Sequence, residues 1–143
     1  MGQRQLSSFV VDGQLFGVDV AHVQEVIRPQ PLTKVPLAPS SVLGLMNLRG
    51  QVVTVLDLRA RLELPAYDGA AAATIVCRSG DDVIGLLVDA VGDVVDATSE
   101  QFDPPPETLP PARRRVVRGT YQLPDRLLLE LDVEHTVRLE PAG

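Results

Sequence analysis

A duplication within the chain is the feature that most restricts what this sequence can fold into. Residues 17–26 align without gaps with residues 85–94, and residues 44–57 align in the same way with residues 119–132. The two alignments occur in the same order along the chain, which is the pattern of a repeated structural unit. The sequence therefore predicts two copies of one unit.

Short apolar segments separated by turn residues fill both copies. Gly, Pro and Asp residues separate them, and these residues favour tight turns between antiparallel strands. The predicted hairpins pair 6–11 with 14–20, 42–48 with 51–56, 74–78 with 83–88, and 116–123 with 126–131. Short helical turns are predicted at 21–26, 58–62 and 133–137, each covering one end of a barrel. The pattern predicts an all-β fold.

The two copies are too close in sequence to form widely separated domains, because only the short linker 65–73 joins them. We predict a single domain over residues 1–143, with subdomain 1 at about 14–64 and subdomain 2 at about 72–132. An exchange of terminal segments between the subdomains is compatible with this division. Each subdomain is predicted to be a small β-barrel, and the two barrels are predicted to share one hydrophobic core.

Composition and charge exclude several classes of protein. The chain has 143 residues, and no apolar run approaches the roughly 20 residues of a membrane-spanning helix. Its net charge is −6, with the acidic excess in residues 73–143, whereas a nucleic-acid-binding domain normally presents a basic face. The basic cluster of Arg113–Arg115 with Arg118 follows an acidic segment and is predicted to be a solvated loop. Because the first residues do not resemble a signal peptide, we expect a cytoplasmic protein that binds no nucleic acid and does not insert directly into a membrane.

The sequence contains no convincing catalytic or metal-binding pattern. His22 and His135 lack a partner at ligand spacing, and Cys77 stands alone in an apolar segment, so packing or surface roles are favoured for them. The carboxylates of Asp89, Asp93 and Asp96 would share a face only in a helix, whereas the repeat predicts a strand followed by a turn. We therefore predict no catalytic residues, no metal and no cofactor.

A protein built of hairpins without catalytic groups acts through its surfaces. The Asn-Leu-Arg-Gly turn of the first copy is Gln-Leu-Pro-Asp in the second, so a barrel can be closed there without Arg49. Arg49 can bind a carboxylate on a partner or form an internal ion pair with Glu25, and we hypothesise that the pair forms and borders a binding groove. Gly44 either admits the backbone of a partner or marks a bulge, as Gly119 does in the second copy.

Four sequence blocks follow one another in a specific order: Gly17-Val18-Asp19-Val20 with Val23-Gln24-Glu25-Val26, Pro39-x-x-Val42-x-Gly44-x-x-Asn47-Leu48-Arg49-Gly50, Val55-Leu56-Asp57-Leu58-Arg59, and Gly85-x-x-Val88-Asp89-x-Val91-x-Asp93-Val94. With these blocks the chain resembles the CheW family, the adaptor proteins of bacterial chemotaxis signalling arrays. The resemblance extends from about Leu6 to Leu139, which is nearly the whole chain.

This resemblance implies two SH3-like, five-stranded barrels around a common core and a non-catalytic scaffold function. It implies two partners, the regulatory domain of a CheA-type histidine kinase and the cytoplasmic tip of chemoreceptors, whose helices lie along a groove between the subdomains. By position in the motifs, the receptor-binding residues are Val23, Glu25, Gly44, Leu48 and Arg49. The kinase-binding residues are assigned to Val88, Asp89, Val91 and Asp93. The protein is then expected to be cytoplasmic and recruited to chemosensory arrays.

The sequence departs from the family pattern in two places. Thr54 stands where the family commonly has proline, and the sequence ends four residues after Leu139, without the terminal extension of many members. No receiver or kinase segment is present, which indicates a stand-alone adaptor.

Two alternative functions stay open. One alternative is a divergent member that binds only the receptor or only the kinase in a motility-control pathway. The other is a small enzyme that uses His22 or His135 as a base.

Overall fold

The computed structural model describes residues 3–65 and 73–138. The middle of the predicted linker and the end of the resemblance at Leu139 lie outside these ranges. The described strands are β1 (Gln3–Val11), β2 (Gln14–Asp19), β3 (Val23–Ile27), β4 (Val42–Leu48), β5 (Gln51–Asp57), β6 (Ala73–Ser79), β7 (Asp82–Val88), β8 (Ala90–Thr98), β9 (Phe102–Asp103), β10 (Val117–Gln122) and β11 (Leu127–Leu131). The described α-helices are α1 (Leu58–Arg61), α2 (Pro111–Arg114) and α3 (Val133–Val137). None of the described helices is long and apolar enough to cross a membrane.

The strands form two sheets with the same internal order. The first barrel has the order β3-β6-β7-β5-β4, and the second barrel has the order β8-β1-β2-β11-β10-β9. The sequence repeat relates β3, β7, β5 and β4 to β8, β2, β11 and β10, which occupy the same places in the two orders. The parallel pair β5–β7 therefore corresponds to the parallel pair β2–β11. All four predicted hairpins are confirmed as antiparallel pairs. The short β9 extends the second sheet beyond five strands.

The sheets divide the chain differently from the predicted limits of the subdomains. The first barrel is built from the strands β3 to β7, and the second from β1, β2 and the strands β8 to β11. Each copy of the repeat crosses between them, because β2 lies in the second barrel and β3 in the first, while β7 lies in the first and β8 in the second. The barrels are therefore interlocked rather than consecutive along the chain.

One large hydrophobic core lies between the barrels, and each barrel has a smaller core of its own. The shared core combines side chains from both sheets and from α1 and α3: Phe9, Val11, Phe16, Val18, Leu56, Leu58, Leu62, Ala73, Ile75, Cys77, Leu86, Val88, Val116, Val117, Leu129, Leu131 and Val133. The first barrel encloses Met46, Val53, Val55 and Val76. The second encloses Leu6, Leu15, Ala97, Tyr121 and Leu128. The predicted all-β class, with two barrels on a shared core, is confirmed.

Two of the three predicted helical turns are confirmed. Asp57 and Asp132, which are equivalent in the repeat, cap α1 and α3 by accepting hydrogen bonds from the Arg59 and His135 N–H groups at 3.0 and 3.1 Å. The helical turn predicted at 21–26 is wrong: a 3-10 turn ends at His22 and β3 follows. The strand forms in place of a helix because residues 23–27 pair with the distant strand β6. The basic cluster predicted as a loop also needs correction, because α2 contains its first two arginines.

Candidate functional site

Arg49 and Glu25 form an ion pair that joins the two outermost strands of the first barrel. Glu25 lies on β3, and Arg49 lies in the turn between β4 and β5. The hypothesis that these two side chains pair is confirmed. The equivalent positions of the second barrel carry Asp93 and Pro124, which cannot form such a pair. The ion pair therefore distinguishes the first barrel from the second.

The backbone of the β4–β5 turn disfavours arginine. Arg49 and Gly50 have φ angles of 51° and 86°, and the Asn47 side-chain oxygen accepts a hydrogen bond of 2.9 Å from the Gly50 N–H. Two consecutive positive φ values favour Asn, Asp or Gly at the first position. The β1–β2 turn has the same signs of φ and carries the favoured Asp12 there. Arginine at this position therefore costs local stability that asparagine would not cost.

The ion pair does not restore the stability that arginine costs in this turn, because the pair lies at the surface. The Arg49 side chain is 68% exposed, and exposed pairs contribute about 0–1 kcal/mol. Glu25 accepts at one end of the guanidinium group. The remaining N–H groups of the planar fork suit a second carboxylate. The geometry thus holds an accessible cation at a fixed point on the barrel.

The predicted apolar neighbours of this pair are half-buried. Leu48 packs against the small core of the first barrel, as Ile27 does. Val23 packs against the shared core at a β-bulge that separates it from Glu25. Val26 and Val52 are exposed on β3 and β5. Leu48, Glu25 and Arg49 therefore lie on a surface that offers apolar area around a charge.

The structure gives Gly44 a place inside the fold. It is buried at a β-bulge in β4, and a Cβ atom there would lie 2.6 Å from the Thr33 carbonyl oxygen. Thr33 exchanges two backbone hydrogen bonds of 2.8 Å with Leu45. In the second barrel, Gly119 also lies at a bulge and leaves room for Phe102 and the Asp103 carbonyl oxygen. Both glycines thus admit a crossing segment of the same chain, and a receptor contact at Gly44 stays a prediction.

Replacing Gly44 with alanine is expected to lower the free energy of unfolding by about 2–3 kcal/mol, because the added methyl group meets backbone that cannot rotate away. Gly80→Ala is the matched control, since Gly80 also has a positive φ but open space around the missing side chain. Chemical denaturation of both variants measures the difference. Equal losses in the two variants would contradict the close-packing role.

The residues assigned to the kinase lie at the start of β8 and just before it. Val88 is buried in the shared core, with 1% exposure, so its side chain supports the surface from beneath. Val91 and Val94 are 46% and 58% exposed, and Asp93 is exposed between them. Under the repeat, Val91, Asp93 and Val94 correspond to Val23, Glu25 and Val26. The part of the predicted receptor surface on β3 and the part of the predicted kinase surface on β8 are thus equivalent positions on the two barrels.

Asp89 takes part in a polar cluster at the crossover between β7 and β8. The Arg59 guanidinium donates to its carboxylate at 2.6 and 3.1 Å, and the Asp12 backbone N–H donates at 2.8 Å. Arg59 also donates to the Pro65 carbonyl oxygen at 2.7 Å. The hydrogen bond from Arg59 lowers the pKa of Asp89 below its ordinary value. This cluster fixes the chain where it passes from one barrel to the other.

Replacing Asp89 with asparagine is expected to lower the free energy of unfolding by about 2 kcal/mol at pH 7. Because the folded-state pKa of Asp89 is lowered, its contribution is present above its unfolded value and is lost as pH falls through the folded value. The difference between the parent protein and Asp89→Asn should therefore shrink below about pH 4. Urea denaturation from pH 7 to pH 3 tests this. The exposed turn carboxylate of Asp81 provides the control variant Asp81→Asn, and a difference independent of pH would contradict the assignment.

A buried charge cluster in the second barrel was not predicted from the sequence. Glu130 is 1% exposed, and Arg4 contacts its two carboxylate oxygens at 2.8 and 2.7 Å while also donating to Asp19 at 2.7 Å. Burial raises the pKa of Glu130 above its ordinary value. The repeat does indicate that Glu130 is unusual, because the residue equivalent to it in the first barrel is the apolar Val55.

The histidines and the cysteine considered for catalysis or metal binding make contacts of the kind found in any folded protein. The His22 ring lies 3.1 Å from the Arg78 carbonyl oxygen, and the His135 ring lies 3.1 Å from the Asp132 carboxylate. Cys77 is buried in the shared core, and burial raises the pKa of its thiol to about 12. Within the ranges 3–65 and 73–138, no three His, Cys, Asp or Glu side chains are grouped so as to hold a metal ion.

Both the sequence and the fold match those of known proteins. The family model of the CheW-like domain matches residues 5–140, which include both barrels and both surfaces. The chain belongs to the CheW-like domain family. The family resemblance inferred from the four sequence blocks is confirmed, and the chain is a member of a family of chemotaxis scaffold proteins.

Similar CheW proteins come from several bacteria. The probable chemotaxis protein CheW of Rhizobium etli is 37% identical over 134 residues, which are 93% of this chain and 86% of that protein. The chemotaxis protein CheW of Klebsiella aerogenes is 31% identical over 134 residues, covering 92% of this chain and 80% of that one. The crystal structure of the scaffolding protein TtCheW from Thermoanaerobacter tengcongensis has the same fold, with a TM-score of 0.87 at 24% identity, covering 99% of this chain and 97% of that one.

Proposed function

We propose that this CheW-like protein is a non-catalytic scaffold that couples chemoreceptors to a CheA-type histidine kinase at cytoplasmic chemosensory arrays. The observation that carries the proposal is Arg49. It is an exposed cation in a turn that disfavours arginine, and it is held by Glu25 across the outer strands of the first barrel. A residue that lowers local stability and faces solvent is best explained by a partner.

The receptor tip binds at the Arg49 surface of the first barrel. A helical partner that brings a carboxylate to Arg49 and apolar side chains to Leu48 and Val23 matches this surface in charge and polarity. Glu25 takes part by keeping the guanidinium group extended. Gly44 contributes from beneath by allowing the Thr33 segment to pack closely against β4.

The kinase regulatory domain binds at the equivalent surface of the second barrel. Val91 and Asp93 are the exposed members of the residues assigned to it, while Val88 and Asp89 hold the start of β8 from the core and from the Arg59 cluster. Equivalent positions on two barrels allow both partners to bind at once. Each interface is expected to be modest in area and strengthened by multivalent assembly.

The bridging function is tested by size-exclusion chromatography of a receptor signalling-tip fragment with the kinase regulatory domain. The two partners are expected to elute together when this protein is added and separately when it is left out. Binding of one partner alone would favour the divergent, single-partner alternative. Elution of all three proteins separately at micromolar concentration would contradict the proposal.

A further inference from the structure

A cleft in the second barrel combines two aromatic rings with two arginines. Its volume is about 200 Å³, and we define the residues that line it, Arg4, Ser99, Phe102, Arg118 and Tyr121, as the aromatic cleft. The two rings pack edge to face, with centroids 5.2 Å apart, and none of the five residues is acidic. Because clefts for drug-sized ligands measure about 300–1,000 Å³, a cleft of this size suits a ligand with a single ring.

A β-bulge brings Arg118 to the aromatic cleft. The pairing of β10 with β11 shifts between Val117 and Gly119, which leaves Arg118 as the extra residue of the bulge. Bulges re-aim a side chain and are frequent beside functional sites. The Arg118 side chain is 50% exposed, and its Nε lies 3.8 Å from Glu130, beyond hydrogen-bond distance. Because its guanidinium donates no hydrogen bond within the part of the chain that the structure describes, its N–H groups are open to an anion.

The first barrel has apolar residues where the second has this arginine and one of the rings. Under the repeat, continued by one residue, Leu43 is the extra residue of the corresponding bulge and stands in place of Arg118. Met46 stands in place of Tyr121. Both Leu43 and Met46 pack in the small core of the first barrel. A barrel of this kind therefore closes without an arginine or a ring at these places, and a ligand explains why the second barrel has them.

We propose that the aromatic cleft binds a small aromatic carboxylate, which is a molecule with one ring and one carboxylate group. The ring packs on Phe102 and Tyr121, where offset and edge-to-face contacts between rings are favourable. The carboxylate accepts hydrogen bonds from the Arg118 guanidinium and the Ser99 hydroxyl. This inference goes beyond the proposed function and does not depend on it.

Arg4 lines the same cleft but is not the partner of the anion. Its guanidinium already donates to Asp19 at 2.7 Å and to Glu130 at 2.8 Å. Turning it toward a ligand would leave the buried Glu130 carboxylate without its closest cation, which is costly. Arg118 can turn to a ligand while Arg4 keeps Glu130 paired. The buried ion pair therefore fixes one wall of the site, and Arg118 supplies the charge that the ligand meets.

An amide chemical-shift titration of the purified protein by NMR at pH 7 tests the site, with sodium benzoate as the probe. Benzoate is expected to bind at millimolar concentration and to shift the signals of Ser99, Phe102, Arg118 and Tyr121 until they saturate. Acetate has the charge without the ring, and benzamide has the ring without the charge, so each should bind at least about tenfold more weakly. No saturable shift with benzoate, or equal binding of acetate or benzamide, would overturn the proposal.

Two substitutions that copy the first barrel separate the contributions of the charge and the ring. Arg118→Leu copies Leu43 and should raise the dissociation constant for benzoate at least about tenfold. Phe102→Leu copies Leu32, the residue beside the corresponding glycine of the first barrel, and should raise it about threefold or more. Arg114→Leu removes an exposed arginine outside the cleft and is the matched control, with an unchanged dissociation constant expected.

Thermal unfolding of the same variants separates binding from stability. Arg118→Leu should keep a melting temperature close to that of the parent, because the substituted side chain is half-exposed and Arg4 still pairs with Glu130. Benzoate should raise the melting temperature of the parent and of Arg114→Leu but not that of Arg118→Leu. Equal affinity of Arg118→Leu and the parent for benzoate, or the same loss of affinity in Arg114→Leu, would overturn the proposal.

Discussion

Replacing Arg4 with methionine is expected to lower the free energy of unfolding by about 3 kcal/mol at pH 7. Arg4 binds both carboxylate oxygens of Glu130, which is 1% exposed. Without Arg4, Glu130 keeps the half-exposed Arg118 at 3.8 Å, which compensates less for burial, so the protonated form of Glu130 is favoured. Its ordinary pKa is near 4.5, so protonation at pH 7 costs about 1.4 kcal/mol for each of about 2.5 pH units.

The pH dependence of this variant follows from the direction of the Glu130 pKa. Burial holds the folded-state pKa of Glu130 above the unfolded value, so the stability of the folded state is fully present below the unfolded value and falls as pH rises through the folded value. Arg4 lowers this pKa, so the variant has a still higher one and loses more stability than the parent as pH rises. The loss in Arg4→Met should therefore shrink toward pH 5. The double variant Arg4→Met/Glu130→Val, which copies Val55 of the first barrel, should recover most of the stability. A loss below about 1 kcal/mol at pH 7 would contradict the role given to the pair.

The second large effect is expected on binding rather than on stability. Arg49→Asn should weaken binding of the receptor tip at least about thirtyfold, because arginine at the centre of an interface contributes about 2 kcal/mol or more. Its free energy of unfolding should stay within about 1 kcal/mol of the parent, since asparagine suits the positive φ and compensates for the lost surface pair. Isothermal titration calorimetry and chemical denaturation measure the two quantities.

A charge reversal and a matched control make this test sharper. Arg49→Glu places a carboxylate beside Glu25 and should remove receptor binding while leaving the melting temperature nearly unchanged. Asp12→Asn changes the first position of the β1–β2 turn, which has the same signs of φ, and should leave receptor binding unaffected. A large loss of stability in both Arg49 variants would mean that the arginine closes the barrel and has no further role.

Local signals in the sequence predicted the hairpins correctly, because each depends on a turn whose residues are adjacent in the chain. Asp12-Gly13 and Arg49-Gly50 are such turns, and both have the expected positive φ angles. The grouping of hairpins into sheets depends on contacts between distant residues. The sequence pattern did not predict that β2 and β3 belong to different barrels, nor that β8 continues as a nine-residue strand.

The candidate site was predicted where the two copies of the repeat differ. Arg49 was identified because the second copy has proline there, and its pairing with Glu25 was correct. Glu130 differs from Val55 in the same way but was not recognised, because its partner Arg4 lies outside the aligned segments. The internal packing of Gly44 depends on the Thr33 segment, whose path the sequence did not indicate.

The most direct test of the scaffold function is a calorimetric titration of this protein with the regulatory domain of a CheA-type kinase, repeated with a receptor signalling-tip fragment. Both titrations are carried out on the parent protein and on Arg49→Asn. The parent is expected to bind both partners, and Arg49→Asn is expected to bind the kinase domain unchanged while losing the receptor fragment. Binding of neither partner by the parent, or equal receptor binding by both proteins, would contradict the function assigned to this surface.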